Sequence, residues 1–145
     1  MPPGYAAALL FSEMMSMMSA RPALSRPVPA RAPNWNVVWV KTCDGGSWTG
    51  NRQGAVDGLF YRGRAILDAT VNDLLPRGIL NATDIVVSGG SAGALGVYLN
   101  VDYYRQRLDP HHTMKFSGMP DGGFFMDYNA KGYHDGMAWI ASAAG

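Results

Sequence analysis

Five consecutive residues in the middle of the chain could present a nucleophile. They are Gly89-Gly90-Ser91-Ala92-Gly93, which fit the pattern Gly-x-Ser-x-Gly. In this pattern the serine occupies a sharp turn from a strand to a helix, and the outer glycines let the two elements approach closely. We therefore predict that Ser91 is a catalytic nucleophile. The N–H of Ala92, at the start of the helix, is the predicted oxyanion donor.

The residues around this pattern supply the elements that it needs. Residues 85–87 are apolar and β-branched, which predicts a strand that ends just before the turn. Leu95, Leu99 and Tyr103 are spaced by four and predict a helix from about 92 to 108. The chain contains 18 glycines, so the pattern alone also fits a plain glycine-rich turn in a non-enzymatic α/β binding domain. Both interpretations stay open at this point.

Two alternative interpretations of this glycine-rich loop are excluded by its sequence. A phosphate-binding P-loop needs lysine followed by serine or threonine, but no lysine lies between Lys41 and Lys115. A dinucleotide-binding loop needs glycines at i, i+2 and i+5, a spacing that the glycines from 89 to 96 do not provide.

A serine nucleophile also needs a base and an acid that orients the base. His111 and His112 follow the predicted end of a helix, where a positive charge interacts favourably with the helix dipole. We therefore expect them to stabilise this helix end. His134-Asp135 could supply a base, and Asp121 could supply an acid after a predicted strand. Nothing in the spacing brings these residues to Ser91.

The remaining elements predict an α/β fold. In chain order we predict a helix over 6–18, a proline-rich connection over 21–33, a strand over 37–40, a helix over 56–75 and a strand over 113–117. Strands that alternate with helices imply parallel pairing through right-handed crossovers. We expect residues 1–33 to form an N-terminal helix and connection, and residues 34–145 to form part of a catalytic domain.

Composition narrows the function classes. Apolar residues make up 48% of the 145 residues and the net charge is +1 with scattered basic residues, which argues against a nucleic-acid partner. No apolar run approaches the roughly 18 residues of a membrane span, and we predict no signal peptide.

Cys43 is the single cysteine, so the chain cannot form an internal disulfide, and we expect a buried thiol or a former disulfide partner. Asn81-Ala82-Thr83 is an N-glycosylation sequon.

Five ordered stretches over residues 21–128 point to a known family. They are Asn34–Val37, Cys43–Gly50, Phe60–Gly63, Gly89–Gly93 with Leu99–Asp102, and Asp121–Asp127. In order and rough spacing they resemble the pectin acetylesterase and Notum family of carboxylesterases.

The resemblance implies a partial α/β-hydrolase-like (flavodoxin-like) parallel sheet flanked by helices. It implies a secreted or cell-wall serine esterase that acts on acetylated polysaccharide, as plant members do on pectin, or on acylated protein, as the Notum branch does. It makes Ser91 the family nucleophile and implies neither a metal nor an organic cofactor. Trp48 and the pair Phe124-Phe125 could line a substrate pocket, although single aromatic residues more often belong to a core.

Three departures from the family bear on activity. Nothing before Trp35 matches the Gly-Gly-Trp element that supplies an oxyanion N–H in the family. The catalytic Asp and His of the family are expected beyond the end of this chain. Ala94 replaces a glycine that is common in the family. We therefore expect this chain alone to have low or no esterase activity.

Overall fold

Four parallel strands and two helices make up the fold of the residues that the structure describes. The computed structural model describes residues 5–13, 35–42, 44–126, 134–135 and 138. In chain order the elements are β1 (Tyr5–Glu13), β2 (Asn36–Thr42), α1 (Gly63–Leu74), a 3-10 turn (Ile79–Asn81), β3 (Ala82–Gly90), α2 (Ala92–Leu108) and β4 (Lys115–Asp121). The strands form one sheet in the order β2-β1-β3-β4. The predicted α/β class and its parallel pairing are confirmed.

The sheet is built around its first strand. β1 pairs in parallel with β2 on one side and with β3 on the other, so that Leu9 lies opposite both Val38 and Val87. β4 pairs with the free side of β3 and places Asp121 opposite Gly90. The carboxyl ends of the strands therefore meet at one edge of the sheet, where β3 leads into α2.

The predicted helix over 6–18 is wrong, because residues Tyr5–Glu13 form β1. Alanine and leucine favour a helix locally, but a short apolar run fits equally well in a strand that has a neighbour on both sides. Ala7 and Leu9 are fully buried, and the hydrogen bonds of the two ladders satisfy the backbone. The sheet thus includes a strand from the segment 1–33. The predicted boundary at residue 33 stays a prediction.

Both helices pack on one face of the sheet. Their buried side chains join those of β1, β2 and β3 in a single apolar core. The core side chains from the helices are Leu67, Val71, Leu74, Val97, Tyr104 and Leu108, and those from the strands include Ala7, Leu9, Val40, Ile85 and Val87. The steps from β2 to β3 and from β3 to β4 run in the same direction across the sheet, so right-handed crossovers must place both helices on the same side.

Helix α1 is shorter than predicted. Instead of beginning near residue 56, it begins at Gly63, because Val56 and Leu59 close a tight turn with two backbone hydrogen bonds. Asp57 and Gly58 both take positive φ inside this turn, which a helix does not allow. Phe60, which lies within the predicted helix, is therefore outside the observed one and is 59% exposed.

The bounds predicted for α2 are confirmed, but its buried face is not the one that carries Leu95, Leu99 and Tyr103, the residues from which the helix was predicted. Leu99 is 53% exposed, whereas Val97, Asn100 and Tyr104 are buried. The helix carries apolar residues around much of its circumference, so periodicity did not identify the side that meets the sheet. The last strand also differs, since β4 begins at Lys115 rather than at residue 113.

A polar cluster holds the two helices together. The hydroxyl of Tyr103 donates to the Asp68 carboxylate, and Arg107 Nη1 donates to the same carboxylate at 2.9 Å. Arg107 Nη2 also donates to Asn72 Oδ1 at 3.0 Å, and the Arg64 guanidinium lies 3.6 Å from the Tyr103 ring centroid. Burial and the hydrogen bond to Asp68 raise the pKa of Tyr103. Side chains from α1 and α2 thus fix how the helices lie against each other.

Several predictions concern residues outside the described ranges. Cys43, the proline-rich connection over 21–33 and residues 14–18 of the predicted N-terminal helix are among them. Among the residues that the structure describes, no helix has the length and apolar character needed to cross a bilayer.

A buried aspartate connects the end of α2 to the start of β4. Asp109 Oδ1 accepts hydrogen bonds from the N–H groups of Thr113 (2.6 Å) and Met114 (3.2 Å) and from the Thr113 hydroxyl (3.2 Å). The second carboxylate oxygen lies 3.8 Å from Arg105 Nη2. Burial works to raise the pKa of Asp109, but the three hydrogen bonds and the Arg105 charge outweigh it and leave the pKa lowered. The charged form is therefore the stable one in the folded chain.

We predict that Asp109→Asn lowers the free energy of unfolding by about 2 kcal/mol at pH 7, because the amide is a weaker acceptor for three donors. A lowered folded-state pKa adds stability above the ordinary aspartate pKa, and this stability is lost as the pH falls through the folded value. The gap between wild type and variant should therefore shrink below about pH 4. Urea denaturation at a series of pH values measures it, and a gap that grows on acidification would contradict the assignment.

Candidate functional site

The turn between β3 and α2 has the backbone conformation of a nucleophile elbow. Ser91 takes φ 53° and ψ −117°, a region that residues with a side chain rarely adopt. The residue is exposed, and it lies between the last residue of β3 and the first residue of α2. The strand, the sharp turn and the helix expected around Ser91 are thus all present.

A close contact between two glycines makes the turn possible. A Cβ added to Gly89 would lie 2.4 Å from the carbonyl oxygen of Gly93, well inside van der Waals contact. The strand and the first turn of the helix therefore touch backbone to backbone. This contact is the physical reason for the first glycine of the pattern. Gly90, in contrast, has no other atom nearer than 4.0 Å to an added Cβ.

Backbone hydrogen bonds hold Ser91 from both sides. Its N–H donates to the carbonyl oxygen of Asp121 at 2.9 Å, which joins the elbow to the end of β4. Its own carbonyl accepts from the N–H groups of Ala94 (2.9 Å) and Leu95 (3.3 Å) in the first turn of α2. The Ser88 hydroxyl of β3 also donates a hydrogen bond to the carbonyl of Met119, two residues before Asp121 on β4, at 3.0 Å. The unfavourable φ of Ser91 is thus maintained by its neighbours on β4 and α2.

The segment after β4 lies on the first turn of α2. A Cβ on Gly123 would lie 2.2 Å from the Cβ of Ala94. Ala94 is the position where a glycine is common in the family that the sequence resembles. The extra methyl group is accommodated because the facing residue, Gly123, has no side chain.

Ala92 is placed as an oxyanion donor would be. It is the first residue of α2, and the amides of a first helical turn have no acceptor within the helix. They also carry the positive end of the helix dipole. An N–H at this position can donate to an oxygen that becomes negative beside Ser91. The assignment of Ala92 to this role stays a prediction.

The loop after β2 is a strained element that sequence reasoning did not identify. Ser47 and Trp48 have positive φ values of 49° and 60°, and both side chains are buried. The side-chain amide of Asn100, buried in α2, donates to the Ser47 carbonyl at 3.2 Å and to the Gly96 carbonyl at 2.9 Å. The loop is therefore anchored to the helix that follows Ser91. The turn residues Asp44 to Gly46 gave the only sequence signal, which indicates a loop but not its anchor.

The other candidate residues fall into three groups. His111 and His112 follow the far end of α2, about 25 Å from Ser91 for a helix of 17 residues, so neither can be its base. His112 Nδ1 instead accepts a hydrogen bond from Arg105 Nε at 2.9 Å. Asp121 lies beside the elbow through its backbone, and its side chain is exposed. His134 and Asp135 are exposed, and their role stays a prediction.

The aromatic candidates separate clearly by burial. Trp48 is fully buried and belongs to the core, so it is not free to line an open pocket. Phe124 is 87% exposed, and Phe125 and Met126 are also exposed. These three residues follow β4 at the same edge of the sheet as Ser91. Within the described part of the chain, no group of three or more His, Cys, Asp or Glu residues could hold a metal ion.

We predict that Gly89→Ala lowers the free energy of unfolding by about 3 kcal/mol, because its methyl group would overlap the Gly93 carbonyl. Gly90→Ala, one residue further along the same strand, should change it by less than about 0.5 kcal/mol. Urea denaturation monitored by circular dichroism measures both. Equal losses in the two variants would show that the close contact does not determine the turn.

We predict that Ser91→Gly raises the free energy of unfolding by about 1 kcal/mol relative to Ser91→Ala. Glycine adopts positive φ without steric cost, whereas alanine keeps the Cβ that is strained here. Both variants lack the hydroxyl, so their difference isolates the backbone. If the alanine variant were as stable as the glycine variant, Ser91 would not be strained.

Comparison with known proteins gives a consistent set of relatives. A family model described as Pectinacetylesterase matches residues 25–142. Pectin acetylesterase 7 of Arabidopsis thaliana is 39% identical over 95 residues, which are 64% of this chain and 24% of the relative. Palmitoleoyl-protein carboxylesterase notum2 of Xenopus laevis is 32% identical over 96 residues, 65% of this chain and 20% of the relative.

The human relative, palmitoleoyl-protein carboxylesterase NOTUM, is 30% identical over 105 residues, which are 68% of this chain. The chain thus spans a quarter or less of the length of these curated relatives. The family match, in contrast, extends over most of the chain and includes the elbow, β2 and β4. The resemblance drawn from the five sequence stretches is confirmed, and the chain belongs to the pectinacetylesterase family.

Proposed function

We propose that this chain carries the nucleophile of a carboxylic ester hydrolase, with Ser91 as the attacking residue. The observation that supports it is the conformation of Ser91, φ 53° and ψ −117°, at an exposed turn between a strand and a helix. If position 91 had only a structural role in this turn, a glycine could occupy it without strain, and a serine would bring no advantage. Strain at an exposed polar residue is typical of functional sites.

The chemistry follows from the position of the hydroxyl. Ser91 Oγ attacks the ester carbonyl carbon, a general base takes the hydroxyl proton, and the carbonyl oxygen becomes negative. The N–H of Ala92 donates to this oxygen, and the dipole of α2 adds to the stabilisation. The bond to the alcohol then breaks, the alcohol leaves with the proton, and an acyl-enzyme remains. Water hydrolyses the acyl-enzyme and releases the acid.

We do not assign the general base for Ser91 to any residue of the elbow itself. The family resemblance implies an Asp and a His that follow the nucleophile in the chain, in the order usual for this class of hydrolase. His111 and His112 are too far away along α2 to serve. Asp121 contributes its carbonyl to the elbow, and this contact holds the nucleophile without activating it.

The names of the relatives indicate two substrate classes. Some are pectin acetylesterases and others are palmitoleoyl-protein carboxylesterases. We therefore propose an acetylated polysaccharide or an acylated protein as the substrate, and an extracellular or cell-wall location. The exposed apolar residues Phe124 and Met126 lie at the edge of the sheet where an acyl group would reach Ser91.

We predict that the 145-residue chain hydrolyses p-nitrophenyl acetate no faster than its Ser91→Ala variant, because the described residues show no base hydrogen-bonded to the Ser91 hydroxyl. To supply the base, residues 25–142 of this chain, the part that matches the family model, replace the corresponding segment of Arabidopsis pectin acetylesterase 7. We expect this chimera to turn over the ester and to lose at least about 1,000-fold in kcat on Ser91→Ala.

Ser117→Ala, an exposed serine in the middle of β4, is the matched control and should leave the turnover of the chimera unchanged. A fluorophosphonate probe should label the chimera at position 91 alone. A folded chimera that is neither active nor labelled would favour the alternative of a binding domain with a structural turn. Enzyme-like, Ser91-dependent turnover by the 145-residue chain would refute its predicted inactivity.

A further inference from the structure

The edge of the sheet opposite Ser91 carries the sequon Asn81-Ala82-Thr83. It is the only Asn-x-Ser/Thr sequence in the 145 residues, and neither Ala82 nor the following Asp84 is proline. The structure adds the orientation of its side chains. Asn81 and Thr83 are exposed, whereas Ala82 between them is 6% exposed and packs against the core. Both side chains that an oligosaccharyltransferase recognises therefore face the solvent.

The backbone at this point makes a bend from a turn into a strand. Gly78 takes φ 89°, and the N–H of Asn81 donates to its carbonyl at 3.0 Å, which closes the 3-10 turn. Ala82 then takes φ −68° and ψ 140° and begins β3. Asn81 is thus the exposed last residue of a turn whose first residue, Ile79, is buried in the core. The neighbouring Leu80 is 52% exposed, and a glycan on Asn81 would cover part of this apolar surface.

The position is remote from the nucleophile. β3 runs from Ala82, the middle residue of the sequon, to Gly90, next to Ser91. Nine residues of strand span about 27 Å at roughly 3.3 Å per residue. A glycan attached at Asn81 would leave the carboxyl edge of the sheet open to a polysaccharide or protein ester.

We propose that Asn81 is a site of N-linked glycosylation when the chain enters the secretory pathway. In this step the Asn81 side-chain nitrogen forms a bond to the anomeric carbon of a lipid-pyrophosphate-linked oligosaccharide. The bond from that carbon to the pyrophosphate oxygen breaks, the lipid pyrophosphate leaves with the electron pair, and the amide proton goes to a base of the transferase. The inference rests on the extracellular location that forms part of the proposed function.

The test supplies the export signal, so that it does not depend on natural secretion. The full 145-residue chain is fused to a cleavable heterologous leader and translated in the presence of endoplasmic-reticulum microsomes. We expect a single step to lower mobility that endoglycosidase H reverses. Asn81→Gln and Thr83→Ala should each abolish the step, whereas Thr83→Ser should retain it because serine keeps the hydroxyl.

Mass spectrometry locates the modification. Release of the glycan by peptide N-glycosidase converts the modified asparagine to aspartate, and we expect this conversion at position 81 alone. A chain that loses its leader and is protected from added protease, but shows no glycan, would overturn the proposal. The esterase activity of the chimera is measured separately and does not involve Asn81, so failure of either proposal can be told from failure of the other.

Discussion

The turn between β3 and α2 depends on the packing that holds one residue, Ser91, at an unfavourable backbone angle. Ser91 has positive φ in spite of its Cβ, at a cost of about 1–3 kcal/mol for such a conformation. The hydrogen bond from its N–H to the Asp121 carbonyl helps to offset this cost, and the absence of a Cβ at Gly89 lets the strand and the helix approach closely enough to form the turn. Both depend on how β3, β4 and α2 are arranged. The elbow is therefore a property of three packed elements and not of five residues alone.

The sheet that supports the elbow depends in turn on its earliest strand. β1 lies between β2 and β3, so its two ladders connect β2, which leads into the loop that carries Trp48, to β3, which ends just before Ser91. Leu9, at its centre, is completely buried under the helices. Asn100 provides a second connection, from α2 to the Ser47 carbonyl. Elements far apart in the chain thus meet around Ser91.

Much of this arrangement follows from local sequence patterns, and the failures have physical causes. The glycine pattern around Ser91 identified the elbow, since the close approach leaves no room for a Cβ at Gly89, and apolar β-branched residues identified β2 and β3. β1 was mistaken for a helix because its alanines and leucines suit either structure, and pairing partners on both sides decide between them. The anchoring role of Asn100 had no local signal, since its acceptor lies 53 residues earlier. The catalytic role of Ser91 is still a proposal.

The contact between Gly123 and Ala94 restricts how this region can change in evolution. With an added Cβ 2.2 Å from the existing one, the space between the two backbones admits a single methyl group. A relative that has a side chain at the position of Gly123 would therefore need glycine at the position of Ala94, and the reverse also holds. The two sites should covary among homologues, even though 29 residues of sequence separate them.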